Sequence, residues 1–419
     1  MRNNYLCALD LGSSKIAAGL ALLSKNKNVG SLFLDSVVSR GIKKGKVLGA
    51  IDLSEVIAKL LDNLKAKSGI NVKSIYLNVY GQDIVTKHSR ATIALAERGN
   101  KIITNADTRR LIEEAKILGS SLEEEIIHQI PLTYKVDDQD NIINPLGLYG
   151  HSLEVDLYLI CVKSAYIQNI SRLINHIGYE IKGFFLCGIA TSKVIFGQDR
   201  FRKGLQVLID IGSDITQIHL FKDAVLQDLR VLSLGGDDLT YELAAGLKLT
   251  FELAEEIKKS YAAIGEYKDF PDKEVMIKKE GSYKPVSRRL ICEITTAKAK
   301  QLIHSIRSSL KEIIPELDCV DSVVVGGRTV LIDGFLEMME VSLGCGVTLA
   351  RFSSPAVFTA VKEEIVKSTP RFLKYATVLG LICEGVESTK NWYLFRPTKE
   401  RNPIRKIFNR AKEIYQEYF

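Results

Sequence analysis

Two stretches of the chain repeat one another. Residues 7–20 read CALDLGSSKIAAGL, and residues 207–220 read VLIDIGSDITQIHL. With Asp10 set against Asp210, Gly12 meets Gly212, Ser13 meets Ser213 and Leu20 meets Leu220. Each stretch has an apolar run with an Asp near its end, a Gly-centred turn of small residues, and a second run of alternating pattern. That order predicts a tight β-hairpin. One such hairpin constrains little. A related pair, one at the start and one near mid-chain, predicts a duplicated α/β architecture in which two lobes open on the same element.

The rest of the pattern agrees. Helical periodicity covers Asp52–Lys67, Asn105–Leu118, Ser164–Ile177, Asp237–Leu247, Thr250–Ala263, Glu293–Ile314 and Gly334–Leu343. Strand patterns cover Ser74–Tyr80, Leu153–Val162, Val207–Ile211 and Ser322–Val325. Alternating strands and helices argue for an α/β fold. Residues 82–150 are more polar and contain the turn-rich DDQDNIINPLGLYG, which predicts a small inserted α+β unit. GIKKGKV (residues 41–47) falls short of a phosphate-loop motif and reads as a loop before a strand.

Composition narrows the class. The 419 residues are 46% hydrophobic and 26% charged, ordinary for a globular chain with a sizeable core. The net charge is +7, but Lys and Arg are mixed with acids, which reads as a solvated surface with no nucleic-acid partner. Cys7, Cys161, Cys187, Cys292, Cys319, Cys345 and Cys383 are scattered without a CxxC pair. That reads as buried thiols in a reducing compartment. The six histidines lack metal-ligand spacing and read as structural or exposed. Asp10 interrupts the first apolar stretch, so no signal peptide is expected. No uncharged apolar run reaches the roughly 18 residues a spanning helix needs. A cytosolic chain that does not cross a membrane is therefore expected.

Two facing Gly/Ser turns can grip a polyphosphate. Successive backbone N–H groups in such a turn form an anion-binding nest. Ser13, Ser14 and Lys15 add hydroxyls and a charge to the first turn, and Ser213, Asp214 and Thr216 flank the second beside Gly212. Asp10 and Asp210 repel phosphate directly but can each hold a water of a Mg²⁺ ion. LSLGGDDLTYEL places Gly235 and Gly236 before a helix start with Asp237 as the cap, an arrangement suited to phosphate or ribose. AEEIKKSYA places Glu255 and Lys258 one turn apart, within reach of a ribose or base, or simply paired in solvent. DSVVVGGRTVLIDGF runs a strand into Gly326 and Gly327, where a base can approach the backbone, followed by Arg328.

This order of hairpin, hairpin, GG-helix, ExxK helix and strand-GG resembles the actin, Hsp70 and sugar-kinase superfamily. Within it, HQIPLTYKVDDQDNIINPLGLYGHSLEVDLYLICV (residues 128–162) and LGGDDLTYELAAGLKLTFELAEEIKKSYA resemble the FtsA family of bacterial cell-division proteins. The resemblance implies an actin-like two-lobed fold with ATP and Mg²⁺ in its cleft. It places the first lobe at 1–81 and 163–200, the inserted subdomain at 82–162 and the second lobe at 201–360, with a smaller subdomain at 237–305. A return to the first lobe at 361–383, a linker at 384–401 and a terminal helix at 402–419 follow. It further implies head-to-tail filaments and tethering of the FtsZ ring to the inner membrane face. The FtsZ tail would dock on the smaller subdomain, with Arg288, Arg289 and Lys298 as candidates by charge, and other division proteins would dock on the insert. The second turn departs from the superfamily pattern, because Ser213 and Asp214 stand where glycines usually sit. FLCGIATSKVIF (residues 185–196), where a water-positioning Glu or Gln is expected, carries neither, so hydrolysis is expected to be slow or absent. A small-molecule kinase of the superfamily and the pilus-assembly actin-like protein are the alternatives.

The chain's last stretch, NPIRKIFNRAKEIYQEYF, is amphipathic. Ile404, Ile407, Phe408, Ala411, Tyr415, Tyr418 and Phe419 share one face. Arg405 and Lys406 begin a basic opposite face. Docking on its own body, packing on a partner and lying in a lipid interface all fit such a helix. The family resemblance favours an anionic membrane surface. One copy would bind weakly, at roughly 1 kcal/mol per basic residue plus partial apolar burial. Many copies on a filament would bind by avidity.

Overall fold

A computed structural model describes residues 5–96, 99–196, 203–266, 273–279, 282–314, 319–353, 355–358 and 363–390. The terminal stretch 402–419 lies outside the described residues, so its helix and membrane face stay as expectations.

The first lobe opens with β1 (Tyr5–Leu11), β2 (Lys15–Leu23) and β3 (Val29–Val38). A miniature hairpin of β4 (Ile42–Lys43) and β5 (Lys46–Val47) leads to α1 (Ala50–Ser68) and β6 (Ser74–Val79). The insert holds β7 (Ile84–Ala94), β8 (Lys101–Ile102), α2 (Asn105–Gly119), β9 (Glu124–Val136), β10 (Gln139–Ile142), β11 (Tyr149–Gly150) and β12 (Ser152–Lys163). The lobe resumes with α3 (Ser164–His176), β13 (Glu180–Leu186) and α4 (Cys187–Ile195). The second lobe runs through β14 (Leu205–Ile211), β15 (Thr216–Lys222), β16 (Val225–Leu232), α5 (Gly236–Leu247), α6 (Phe251–Tyr261), β17 (Glu274–Lys279), β18 (Ser282–Ser287) and α7 (Arg288–Ile313). It closes with β19 (Ser322–Gly326), α8 (Phe335–Leu343) and β20 (Val347–Leu349), before α9 (Glu363–Lys367) and α10 (Thr369–Lys390).

The duplication is visible in the sheets. The first lobe's sheet has the order β3-β2-β1-β6-β13, and the second's has β16-β15-β14-β19-β20. Each is three antiparallel strands followed by two parallel ones. Asp10 pairs with Ala17 in one hairpin and Asp210 with Gln217 in the other. The Gly12 amide closes the first turn on the Lys15 carbonyl at 3.0 Å, and Gly212 closes the second on Ile215 at 2.9 Å.

In the first lobe, α10 packs on α4, β1 and β2. A Cβ at Gly380 of α10 would run into the Ala190 carbonyl of α4. A Cβ at Gly188 of α4 would run into the His219 ring of β15. Glycine at both places lets backbone approach its neighbour where any side chain would hold it off. The insert forms its own sheet, β10-β9-β12-β7, with α2 against it and a separate apolar core that includes Leu111, Leu153 and Leu157. It docks on both lobes. The Leu186 amide donates to His128 Nε2 at 2.9 Å, and the Leu229 amide donates to the Tyr158 hydroxyl at 3.1 Å.

Three readings of the sequence need correction. GIKKGKV is a hairpin before a helix rather than a loop before a strand, because Lys44 and Gly45 adopt φ of 49° and 80° and reverse the chain tightly. Helix α7 starts at Arg288, ahead of the predicted Glu293, because the Ser287 hydroxyl accepts the Leu290 amide at 3.4 Å and caps it there. The stretch from Glu384, read as a linker, is helix as far as Lys390. Glu384 is buried, with Lys193 of α4 at 3.8 Å from it and 2.8 Å from Glu387, so these acids hold the helix onto the fold.

Candidate nucleotide cleft

The two hairpin turns face one cleft between the lobes, about 1670 Å³ including the space at its open mouth. Asp10, Gly12, Ser13, Ser14 and Lys15 line one wall, and Asp210, Gly212, Ser213 and Asp214 line the other. Gly236, Glu255, Lys258, Gly327 and Arg328 complete it. These predicted residues therefore converge. Thr216 lies just behind the wall, buried, with its hydroxyl on the Leu234 carbonyl at 2.8 Å. Gly235 packs beneath the second turn, where a Cβ would meet the Ser213 and Gly212 carbonyls. Gly326 ends β19 at the level of Asp210.

The first turn is braced from below. The Leu11 amide donates to Asn78 Oδ1 at 2.7 Å, and Asn78 Nδ2 donates to Asp10 Oδ1 at 2.9 Å. Lys15 Nζ lies 2.7 Å from Asp10 Oδ2. The Ser13 hydroxyl meets Tyr80 at 2.9 Å. The amides of Ser13 and Ser14 make no hydrogen bond among the described residues, which leaves a nest open to an anion.

In the second turn Asp214 is buried, and its carboxylate accepts the Lys44 amide of the β4–β5 hairpin. The Lys44 amide also lies 3.2 Å from the Ser13 hydroxyl. That hairpin thus reaches across to the other lobe, where Lys43 Nζ donates to the Tyr241 hydroxyl at 2.7 Å. The charge that replaces a glycine here is engaged by backbone, which reduces its opposition to phosphate. Asp210 lies beside Asp10. Burial first, and the charge of Asp10 second, push its carboxyl above the usual range. A divalent cation would relieve that opposition.

The GG-helix behaves differently from its sequence reading. The Gly236 and Asp237 amides donate to the Gly212 and Ser213 carbonyls at 2.9 and 2.5 Å, so the helix start is spent holding the second turn. Asp238, not Asp237, caps it by accepting the Gly235 amide at 2.7 Å. Asp237 faces the cleft, and burial lifts its carboxyl to about 6. Lys258 is buried and donates to the Gly236 carbonyl at 2.8 Å and to the Thr240 hydroxyl at 2.6 Å. It also pairs with Glu255 at 2.5 Å. Burial draws its ammonium pKa down against that pairing. The ExxK pair is therefore a structural brace under the cleft rather than a solvated ion pair. Gly327 (φ 89°) tucks under the Ile211 carbonyl, where a Cβ would collide.

Arg288 also lines the cleft, with Nε on the Tyr261 carbonyl at 3.3 Å, which turns one of the three peptide-docking candidates inward. Arg289 is half-buried, and Lys298 lies 3.9 Å from Glu242 on the same subdomain. Asn78, Tyr80, Cys187, Gln217 and Thr377 line the cleft without having been singled out as ligands. Asn78 was legible as the one polar residue inside SIYLNVY. Gln217 is buried, and its Nε2 has no hydrogen-bond partner among the described residues. The Cys187 thiol lies 3.6 Å from Asp210 Oδ2 and 3.5 Å from Thr377 Oγ1. Among the described residues no cluster of His, Cys, Asp and Glu suits a metal on protein ligands alone, and no helix is long and apolar enough to cross a membrane.

A duplicated five-stranded lobe, paired turns on a shared cleft and an inserted α+β unit define an actin-like protein. Solved structures agree on that fold. A PilM–PilN type IV pilus biogenesis complex aligns with TM-score 0.61 at 16% identity over 91% of this chain and 98% of that one. MreB5 of Spiroplasma citri bound to ADP aligns with TM-score 0.54 at 10% identity over 94% of this chain and 100% of that one. Residues 81–161 match the SHS2 domain inserted in FtsA, and residues 207–380 match the cell division protein FtsA family. The FtsA of Borreliella burgdorferi is 24% identical over 423 aligned positions, spanning 100% of both chains. The chain belongs to the FtsA family of cell-division proteins.

Proposed function

We propose that this chain is an ATP-binding, actin-like scaffold of cell division that assembles head to tail and lies on the inner face of the membrane through residues 402–419. On this reading it tethers the FtsZ ring and recruits later division proteins. The observation that carries the nucleotide part is the pair of hairpin turns, with Asp10 and Asp210, on one cleft. The residues fit Mg-ATP. The Ser13 and Ser14 amides receive phosphate, and Asp10 and Asp210 hold the ion through water. The bound Mg²⁺ supplies positive charge against the phosphates. Burial of Asp210 beside Asp10 supports the ion, since two close carboxylates in a cleft favour a shared cation. Helix α4 offers neither Glu nor Gln, which supports slow or absent hydrolysis and a scaffold over an enzyme.

Partner surfaces follow from exposure. On the insert Ile117, Leu118 and Leu122 are exposed near the end of α2, and Ile143 and Tyr149 near β10 and β11, which suits recruitment of other proteins. For the FtsZ tail, the inward turn of Arg288 leaves Arg289 and Lys298 of the three charge candidates, Arg289 half-buried and Lys298 3.9 Å from Glu242.

The test is co-sedimentation with anionic vesicles of the full chain and of a chain ending at Arg401, with and without Mg-ATP. The full chain is expected to pellet, more so with Mg-ATP, and the truncated chain to stay in solution. If both chains stay in solution, the membrane-scaffold reading falls.

A further inference from the structure

Arg328 follows the Gly326-Gly327 pair at the end of β19 and lines the cleft. The left-handed backbone of Gly327 and its tight seat under Ile211 fix the direction in which the chain leaves β19. From there the guanidinium reaches the opposite lobe, and Nη2 donates to the Ser14 hydroxyl at 2.9 Å. A cation of the second lobe therefore sits on the Ser14 side chain, which belongs to the turn that carries the open nest. The other bases near the turns are already engaged. Lys15 is held by Asp10 at 2.7 Å, and Lys258 is buried against Glu255 at 2.5 Å. Six carboxylates against five bases line the cleft, so its floor does not attract a polyanion by net charge.

We propose that Arg328 is the protein cation that receives the phosphate chain of bound nucleotide and draws the two lobes together on it. The inference rests on the nucleotide reading above and assigns a residue to the phosphate end of that site. A guanidinium on a hydroxyl makes one ordinary hydrogen bond. A phosphate seated on the Ser13 and Ser14 amides lies within the same reach and offers two charged oxygens to the planar fork. The exchange favours a phosphate over the empty nest. Because Arg328 and Ser14 belong to different lobes, each phosphate contact made this way also joins the lobes.

The experiment is calorimetric titration of the full chain with ATP, ADP and adenosine in Mg²⁺, on the parent, Arg328→Ala and Arg328→Lys, with small-angle scattering for the lobes. Arg328 is exposed, so both variants should melt like the parent. Loss of a charged hydrogen bond predicts that Arg328→Ala weakens ATP roughly ten- to hundredfold. Adenosine affinity should hold, and Lys should recover part of the loss as a point charge. ATP should reduce the radius of gyration of the parent more than that of Arg328→Ala. Unchanged ATP affinity in Arg328→Ala, or an equal loss for adenosine, which would place the side chain at the base, overturns the proposal alone. A parent that binds neither ATP nor ADP overturns the nucleotide reading and this inference with it.

Discussion

At the scale of single residues, a half-buried carboxyl and a buried imidazole make opposite demands on pH. Burial lifts Asp237 to about 6 from an ordinary 3.8. The folded state then holds a proton that the unfolded chain releases, so stability falls as pH rises from about 4 to about 6. Asp237→Asn should stabilise the chain by about 1–2 kcal/mol at pH 7, after discount for its partial exposure to the cleft, and make no difference below pH 4. Urea midpoints at pH 4 and 7 check this. His128 runs the other way. Burial, helped by the charge of Lys193, holds it down to about 4, and its Nε2 accepts the Leu186 amide. Its stabilising share is whole above the ordinary 6.5 and is lost as pH falls toward 4. The parent should therefore lose stability over that window. His128→Gln, which keeps an acceptor but cannot charge, should show a shallower loss in chemical unfolding.

At the scale of elements, the close passage of α10 over α4 is an exacting contact. Gly380→Leu would force the two backbones apart and should cost more than about 3 kcal/mol, read as a lowered urea midpoint with unchanged slope. The same helices mark what the sequence hides. The amphipathic helices α1, α2 and α3 were legible because one stripe is buried and the rest is wet. Helix α4 is buried on nearly every side, and α10 along most of its length, so neither shows the helical alternation that a reader looks for. Both hairpins and their turns were legible from repetition alone. The same repetition singled out the turn residues that the structure brings to one cleft. Thr377 reaches the cleft from α10, far along the chain, and nothing local marks it, while Gln217 sits in the second hairpin without belonging to its turn. Lys44 was hidden for another reason. It acts through its backbone amide, which any residue but proline would supply.

At the scale of the molecule, the cleft is the joint between two copies of one sheet topology. The β4–β5 hairpin, α10 and Arg328 all cross or border it. A ligand that binds both turns stabilises the whole chain by mass action. Mg-ATP at a hundredfold excess over its Kd should add about 2.7 kcal/mol. A thermal scan should show one transition moving upward with nucleotide. Two transitions, with only one of them moving, would mean that the lobes melt apart and that the joint does not couple them.

Helix α10 continues from the cleft wall, where Leu373 and Thr377 stand, to Lys390 without a break. Any pull applied to the chain beyond Lys390 enters the fold along this rod. The rod is gripped sideways by α4, β1 and β2. Tension therefore acts on it in shear, where many contacts must slip together instead of peeling one at a time. Thr377, on the side of the rod that lines the cleft, touches Cys187, and Cys187 touches Asp210. A pull on the chain beyond Lys390 and a ligand in the cleft would thus bear on the same few ångströms of protein.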